Sequence, residues 1–401
     1  MPIRTAQRVA QVKPSATIAM SMKAAELKAA GRDIISLSMG EPDFNTPDHI
    51  QQAAIDAIHE GKTRYTAVDG TPGLKDAIIE KFKRDNKLEY RRDQILVSSG
   101  AKQSLYNLIQ AMIDPGDEVL IPAPYWVSYP DMVRLAGGAP VTLQTTLEAG
   151  FKISPAQLRT AITEQTRLLV LNSPGNPTGR AYHRAELEAL GDVLDRFPRV
   201  VVVSDDIYEH IWWADEPFST LAEVCPALAD RIVVVNGVSK AYAMTGWRIG
   251  YAAGPEALIK GMRKIQSQST SNPCTISQWA ALAALDGPQD FIAGNNAIFR
   301  RRRDLVLCAL RGIDGLACPT PEGAFYVYPS IEGLIGKTSR AGRKIDSDEA
   351  FATALLEETG TAVVFGAAFG LSPAFRVSYA TSDKALQEAC ARIADFCAAL
   401  T

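Results

Sequence analysis

The chain has 401 residues, enough for two domains with a sizeable core. Hydrophobic residues make up 47% and charged residues 22%, an ordinary globular balance that sets aside disordered and low-complexity classes. Forty-two basic against 45 acidic residues leave a net charge of −3, so no nucleic-acid footprint is implied.

In chain order, the basic N-terminus (Arg4, Arg8, Lys13) has no apolar block and is not expected to be a secretory signal. Helical spacing runs from Met22 to Ala30 and stops at Gly31. Ile34 to Met39 reads as a strand opening into GEPDFNTP, a loop of turn formers. Pro47 starts a helix that runs through His59. Thr63-Arg64-Tyr65 precedes a Gly/Pro turn, and Gly73 to Asp85 is patterned as an amphipathic helix. Gln94 to Val97 is strand-like and leads through Ser98-Ser99-Gly100 into a helix from Ala101 to Met112. Glycine directly before a helix start leaves backbone N–H groups free to meet an anion, helped by the helix dipole.

From there strands and helices alternate to about residue 285, the pattern of βαβ units. Three apolar runs show no alternation: Arg167 to Leu171 entering NSPGNPTG, Arg199 to Val203 entering SDDIY, and Ile232 to Val235 entering NGVSK. Such runs suit a parallel sheet covered on both faces, where ligands gather at the carboxyl ends of strands. A lysine after a strand is ordinarily a solvated surface residue. Here three strand ends offer an amide, a carboxylate with a phenol, and Lys240, with Arg248 eight residues further on. An amine that can form a Schiff base and a guanidinium that can hold phosphate suit a phosphorylated aldehyde, which is the chemistry of pyridoxal phosphate.

The last hundred residues change style. EGAFYVYP and PAFRVSYA alternate as strands with helices around them, suggesting a smaller α+β domain. Arg300 to Arg303 lies in FRRRRDLVLCALRG, whose Leu305, Leu307 and Leu310 have helical spacing, so a solvated helix face is expected. The least charged stretches, 267–285 and 361–375, carry hydroxyls, glycines and a proline each, and no membrane span is expected. Six cysteines without a CxxC pair read as buried thiols of a reducing cytoplasm. Four histidines (49, 59, 183, 210) show no ligand spacing, so no metal is expected.

Together, NSPGNPTG, SDDIYEH, SKAYAMTGWRIGY and FRVSYA resemble the class I aminotransferases of the fold type I pyridoxal-phosphate enzymes, over essentially the whole chain. VKPSAT, GEPDF, PYWVSYP and QWAALAAL narrow the resemblance to the bacterial aspartate aminotransferase branch, whose members often also transaminate prephenate. The resemblance implies a large α/β domain with a mainly parallel seven-stranded sheet covered by helices, plus a smaller α+β domain. Residues 1–45 would form an N-terminal arm and small-domain segment, 46–300 the large cofactor-binding domain and 301–401 the small domain. It also implies a cytoplasmic homodimer with shared active sites and amino acids and 2-oxo acids as partners.

Roles follow residue by residue from the same resemblance. Lys240 matches the lysine that binds the cofactor covalently and then shuttles a proton, and Asp205 the carboxylate paired with the pyridine nitrogen. Asp206 is expected to be structural. Tyr208 and Asn176 match the pair on the phenolic oxygen, and Trp126 the ring stacked on the pyridine face. Gly100, the backbone groups of Ala101 and Lys102, Arg248, and Tyr65 from a second subunit would hold phosphate. The family commonly has a hydroxyl residue three places before the lysine, where this chain has Gly237, which leaves a phosphate role for Ser239 open. Arg376 matches the clamp on the α-carboxylate, Gly40 approaches the same group, and Asn176 and Trp126 also face substrate. Lys102 would read a distal carboxylate, while Lys13, Ser15 and Thr17 match a segment that closes over the site. The implied activity is ping-pong transfer of the amino group between aspartate or glutamate and 2-oxo acids such as 2-oxoglutarate, with prephenate as a further acceptor. An aromatic or alanine preference, or C–S β-lyase chemistry, is the alternative on the same scaffold.

Overall fold

Apolar runs without alternation need cover on both faces, and the computed structural model, which describes residues 3–12, 14 and 16–401, supplies it. Seven strands form the central sheet: β1 (Ile95–Ser98), β2 (Glu118–Pro122), β3 (Ala139–Leu143), β4 (Thr166–Asn172), β5 (Val201–Asp205), β6 (Ile232–Gly237) and β7 (Gly250–Ala253). Their order is β1-β7-β6-β5-β4-β2-β3, and only β7 runs against its neighbours. Alternate residues feed two cores. Leu96, Val119, Leu168, Val170, Val203 and Val235 pack with the helices Ala101–Met112 and Glu256–Ser267 on one face. Ile95, Val97, Leu120, Leu169, Val202 and Val234 join the larger cluster on the other. Each such side chain contributes roughly 1.5–3 kcal/mol by leaving water.

The helix Ala101–Met112 has the expected bounds, and Gly100 before it takes φ 86°, a conformation that favours glycine. The expected helix from Gly73 begins one residue earlier, in Pro72–Asn86, because Thr71 caps it by accepting from Leu74 N at 3.4 Å. The first long helix spans Ala16–Ala29 rather than starting at Met22, and it buries only Met20 and Ala24. So thin an apolar stripe gives little periodicity to read. The strand expected over 34–39 shrinks to Ile35–Ser36, since its parallel partner Thr361–Ala362 is equally short.

A second sheet of three antiparallel strands places Phe375–Ser378 between Val364–Phe365 and Tyr326–Val327. The helix Asp290–Arg311 runs unbroken past residue 300. Its arginines correct one expectation: Arg300 and Arg301 are exposed, but Arg302 is buried and Arg303 half-buried over Trp213. The cysteines correct another: Cys318, Cys390 and Cys397 are buried, whereas Cys274 and Cys308 are exposed. No helix among the described residues is long and apolar enough to cross a membrane. His210 does come close to Asp85 and Glu209, but Glu209 is already engaged by the buried Lys81 ammonium and by the amides of Asn86 and Asn236.

Candidate active site

β4, β5 and β6 end side by side, with Asn172 opposite Asp205 and Asp205 opposite Val235. Asn172 stitches the edge together. Its Nδ2 donates to the Asp205 carbonyl (2.8 Å) and its Oδ1 accepts from Asn176 N (2.8 Å). Beyond these ends lies a cavity of about 460 Å³. Asp205, Tyr208, Asn176, Ser239, Lys240 and Arg248 line it from the sheet side, and Ala101, Lys102 and Trp126 from the adjoining helix starts. Gly40, Thr17 and Arg376 close it from the other side. Asp206 points away and accepts from Ser204 Oγ at 2.7 Å. Of two adjacent carboxylates, the strand's alternation sends only one to the cavity.

Asp205 is buried, and burial pushes its carboxyl up to about 6, opposed by the Tyr129 hydroxyl, the Ile207 N–H and the Lys240 ammonium. Tyr129 donates to its Oδ2 at 2.6 Å, and Ile207 N approaches Oδ1 at 3.4 Å. Lys240 Nζ donates to the Gly40 carbonyl at 2.6 Å. Burial, reinforced by the like charges of Arg376 and Arg248, brings its ammonium down to about 8. Near neutral pH a useful fraction is therefore the free amine, as a nucleophile or proton carrier requires.

Arg376 is 2% exposed on the middle strand of the small sheet. Its Nη1 donates to Asn176 Oδ1 (2.9 Å) and its Nη2 to the Ser38 carbonyl (2.6 Å). The Tyr326 and Phe369 rings lie 4.7 and 5.1 Å from its guanidinium carbon, and its Nε is buried without a partner. Among the described residues no carboxylate lies within ion-pair distance of it, nor of Lys240, Arg248 or Lys102. Four cations thus face one cavity whose carboxylates are Asp205 and Glu41. Such a site suits a ligand carrying several negative charges.

At the other end, a Cβ on Gly100 would collide with the Arg248 guanidinium, so the glycine lets the arginine reach the helix start. Arg248 takes φ 56° and donates to the Thr245 carbonyl at 2.8 Å. Lys102 is exposed yet lies 5.0 Å from the Trp126 ring centre, and partial desolvation there, then the like charge of Arg248, lowers its ammonium below the usual lysine range. Tyr65 stands apart. It is 92% exposed and lies beside Arg64, Asn272 and Cys274, outside the cavity. Lys13 and Ser15 lie outside the described residues. Gly237 packs where a Cβ would sit 2.9 Å from the Ile249 carbonyl, so a larger residue does not fit there; Ser239 is buried at the cavity wall.

Sequence reasoning missed Tyr129, Tyr326 and Glu41. Tyr326 shares a 2.9 Å hydrogen bond with the Tyr208 hydroxyl, and Glu41 accepts from Thr245 Oγ1 at 2.8 Å. Tyr129 sits three residues after Trp126 at a helix start, a spacing that could have placed both on one face.

Residues 32–393 match the family model for aminotransferase class I and II. The chain belongs to that family. The class I and II relatives include an aspartate/prephenate aminotransferase of Cereibacter sphaeroides, 63% identical over 98% of both chains. An aspartate aminotransferase of Rhizobium meliloti is 52% identical over 98% of this chain and 96% of its own. Among solved structures, the aspartate aminotransferase from Rhizobium meliloti superposes with a TM-score of 0.97 at 51% identity, covering all of both chains. The Thermus thermophilus aspartate aminotransferase with maleate gives 0.91 at 44% identity, covering 98% of this chain and 100% of that one. The aminotransferase fold is therefore the α/β architecture expected, with its mainly parallel seven-stranded sheet.

Proposed function

We propose that this aminotransferase uses pyridoxal phosphate to exchange the amino group between aspartate or glutamate and 2-oxo acids such as 2-oxoglutarate, with prephenate as a further acceptor. The carrying observation is one cavity that brings Lys240 together with the buried acid Asp205 and with the buried Arg376, which has no carboxylate partner among the described residues; burial pulls the Lys240 ammonium down to about 8. The donor set fits the cofactor: an acid for a ring nitrogen, a phenol and an amide for a phenolic oxygen, and a glycine-lined helix start with an arginine for phosphate. When bound, pyridoxal phosphate supplies an electrophilic aldehyde and a ring that takes up the electrons left by a departing Cα proton. The relatives' names support the acidic donor and the prephenate acceptor.

In this reading Asp205, held by Tyr129, would keep the pyridine nitrogen protonated, while Tyr208 and Asn176 would serve the phenolic oxygen and Trp126 would cover the ring. Gly100, the backbone groups of Ala101 and Lys102, and Arg248 would hold phosphate, Ser239 beside them, joined by Tyr65 of the partner subunit in a homodimer. The 92% exposure of Tyr65 leaves it free for that role. Arg376 grips the α-carboxylate with both guanidinium arms already oriented, and Gly40 meets the same group. Lys240 would take the proton from Cα and deliver it to the cofactor's aldehyde carbon on the far side of the amino nitrogen, in two half-reactions that share the same residues. Lys102, and Lys13 on the N-terminal segment, take the distal carboxylate. We also assign residues 46–300 to a cofactor domain and 1–45 with 301–401 to a smaller unit, a division supported by the pairing of Ile35–Ser36 with Thr361–Ala362.

An amino-acid panel read by cofactor absorbance tests this. Aspartate and glutamate should convert the cofactor to its amine form faster than alanine or phenylalanine. Faster conversion by phenylalanine would remove the acidic preference, and no conversion by any amino acid would remove the aminotransferase reading.

A further inference from the structure

One sequence motif, the four-arginine run, has no place in the reaction described above. Its third member, Arg302, is 6% exposed. Nη1 and Nη2 grip the Asp43 carboxylate as a fork, at 2.7 and 2.9 Å, and Nε donates to Asp383 Oδ1 at 3.1 Å. The Phe44 ring lies 5.5 Å from the guanidinium carbon and is itself packed edge-on against Phe299 at 5.1 Å. The guanidinium is thus fixed by two carboxylates and an aromatic ring.

Asp43 belongs to the irregular loop that carries Gly40. Between Ser38 and Thr46 no backbone group bonds another backbone group among the described residues. Side chains hold the loop instead. The Ser38 carbonyl accepts from Arg376, the Gly40 carbonyl from Lys240, and the Glu41 carboxylate from Thr245. Thr46 Oγ1 donates to the Ala243 carbonyl at 2.7 Å and accepts from Trp247 at 2.9 Å. All these partners belong to the cavity or to the 240–248 segment. The fork between Asp43 and Arg302 is the loop's one ion pair among the described residues, and its partner lies outside the cavity.

We propose that Arg302 and Asp43 are positioning residues, whose bidentate pair sets where Gly40 meets the substrate carboxylate. The proposal rests on the reading of Gly40 and Arg376 as the α-carboxylate site. A charge-assisted fork holds direction as well as distance, and in a loop without backbone pairing the placement of each group rests on such side-chain contacts. An ångström of misplacement at a substrate-gripping group is enough to cost binding without unfolding anything.

Two isosteric variants separate this from a purely structural role. Asp43→Asn and Asp383→Asn each remove one carboxylate from Arg302, but only the first lies on the loop. The readouts are amide hydrogen exchange over residues 38–46 and calorimetric affinity of the cofactor-loaded protein for succinate, an unreactive dicarboxylate. Asp43→Asn should speed exchange in the loop and weaken succinate by about tenfold, with KM for aspartate rising more than kcat falls. Asp383→Asn should lower Tm slightly and leave succinate affinity within about twofold. Arg302→Lys, which keeps the charge but loses the fork, should fall between them. Unchanged succinate affinity in Asp43→Asn, or equal losses in both Asp variants, overturns the proposal alone. Wild-type protein that gives no heat with succinate overturns the functional reading and the proposal with it.

Discussion

The two ends of the cavity hold their charges in opposite ways. At the inner end Asp205 and Arg376 are buried, and each is fixed before any ligand arrives: Asp205 by Tyr129, Arg376 by Asn176, the Ser38 carbonyl and two aromatic rings. At the outer end Arg248 and Lys102 are exposed, and Arg248 has one carbonyl partner. Fixed, desolvated groups act on charge that develops during reaction without having to reorganise. Exposed cations contribute affinity and discrimination that solvent and salt dilute. Substitutions at the inner end should therefore alter chemistry and the stability of the cofactor-free chain, and those at the outer end should alter which ligand binds.

Asp205→Asn is expected to show the largest effect. Turnover should fall by roughly 10²–10⁴-fold, because a pyridine nitrogen without an anionic partner is a poor electron sink. Stability should move the other way. The carboxyl is raised from 3.8 to about 6 in the folded chain, so the folded state binds more protons between those values and loses stability as pH climbs through them. Cofactor-free Asp205→Asn should thus be more stable than wild type above about pH 6, by on the order of 2–3 kcal/mol, and the gain should vanish toward pH 4. Paired thermal melts across that range check it. A pH-independent difference would mean that Asp205 is not strained by burial.

Arg376→Lys comes next. A lysine keeps the charge but cannot reproduce two fixed arms, so kcat/KM should drop by roughly 2–4 kcal/mol for aspartate and for alanine alike. Steady-state kinetics with both amino acids decide it, and a loss confined to aspartate would move Arg376 to the distal carboxylate. Lys102→Ala should give the smallest and most selective change. Aspartate should lose about 1–3 kcal/mol in kcat/KM while alanine is nearly spared. Equal losses for both would place Lys102 on the cofactor and narrow the contrast between the two ends.

How much of this was readable in the sequence follows the same division. The strands ending in Asn172, Asp205 and Gly237 announced themselves as unbroken apolar runs, and the Ala101–Met112 helix by its glycine and its apolar period. The groups that fix the inner end did not. Tyr129 reaches Asp205 from 76 residues away and Tyr326 reaches Tyr208 from 118, and neither pairing leaves a local pattern. Arg302 was misread because a run of four arginines looks solvated. Yet Phe299, Arg302, Val306 and Leu310 recur on one helical face, and that spacing gave it an inward direction. Short strands such as Tyr326–Val327 and Ile35–Ser36 were overextended because their length is set by their partners.

The central claim is that Lys240 carries the cofactor and moves the proton. Borohydride reduction of the cofactor-loaded protein, followed by peptide mass spectrometry, tests it most directly, with Lys240→Ala as the companion. The pyridoxyl mass should appear on the peptide containing Lys240, and the variant should show no such adduct and a rate at least about 10³-fold lower. An adduct on another lysine, or a Lys240→Ala enzyme turning over near the normal rate, would contradict it.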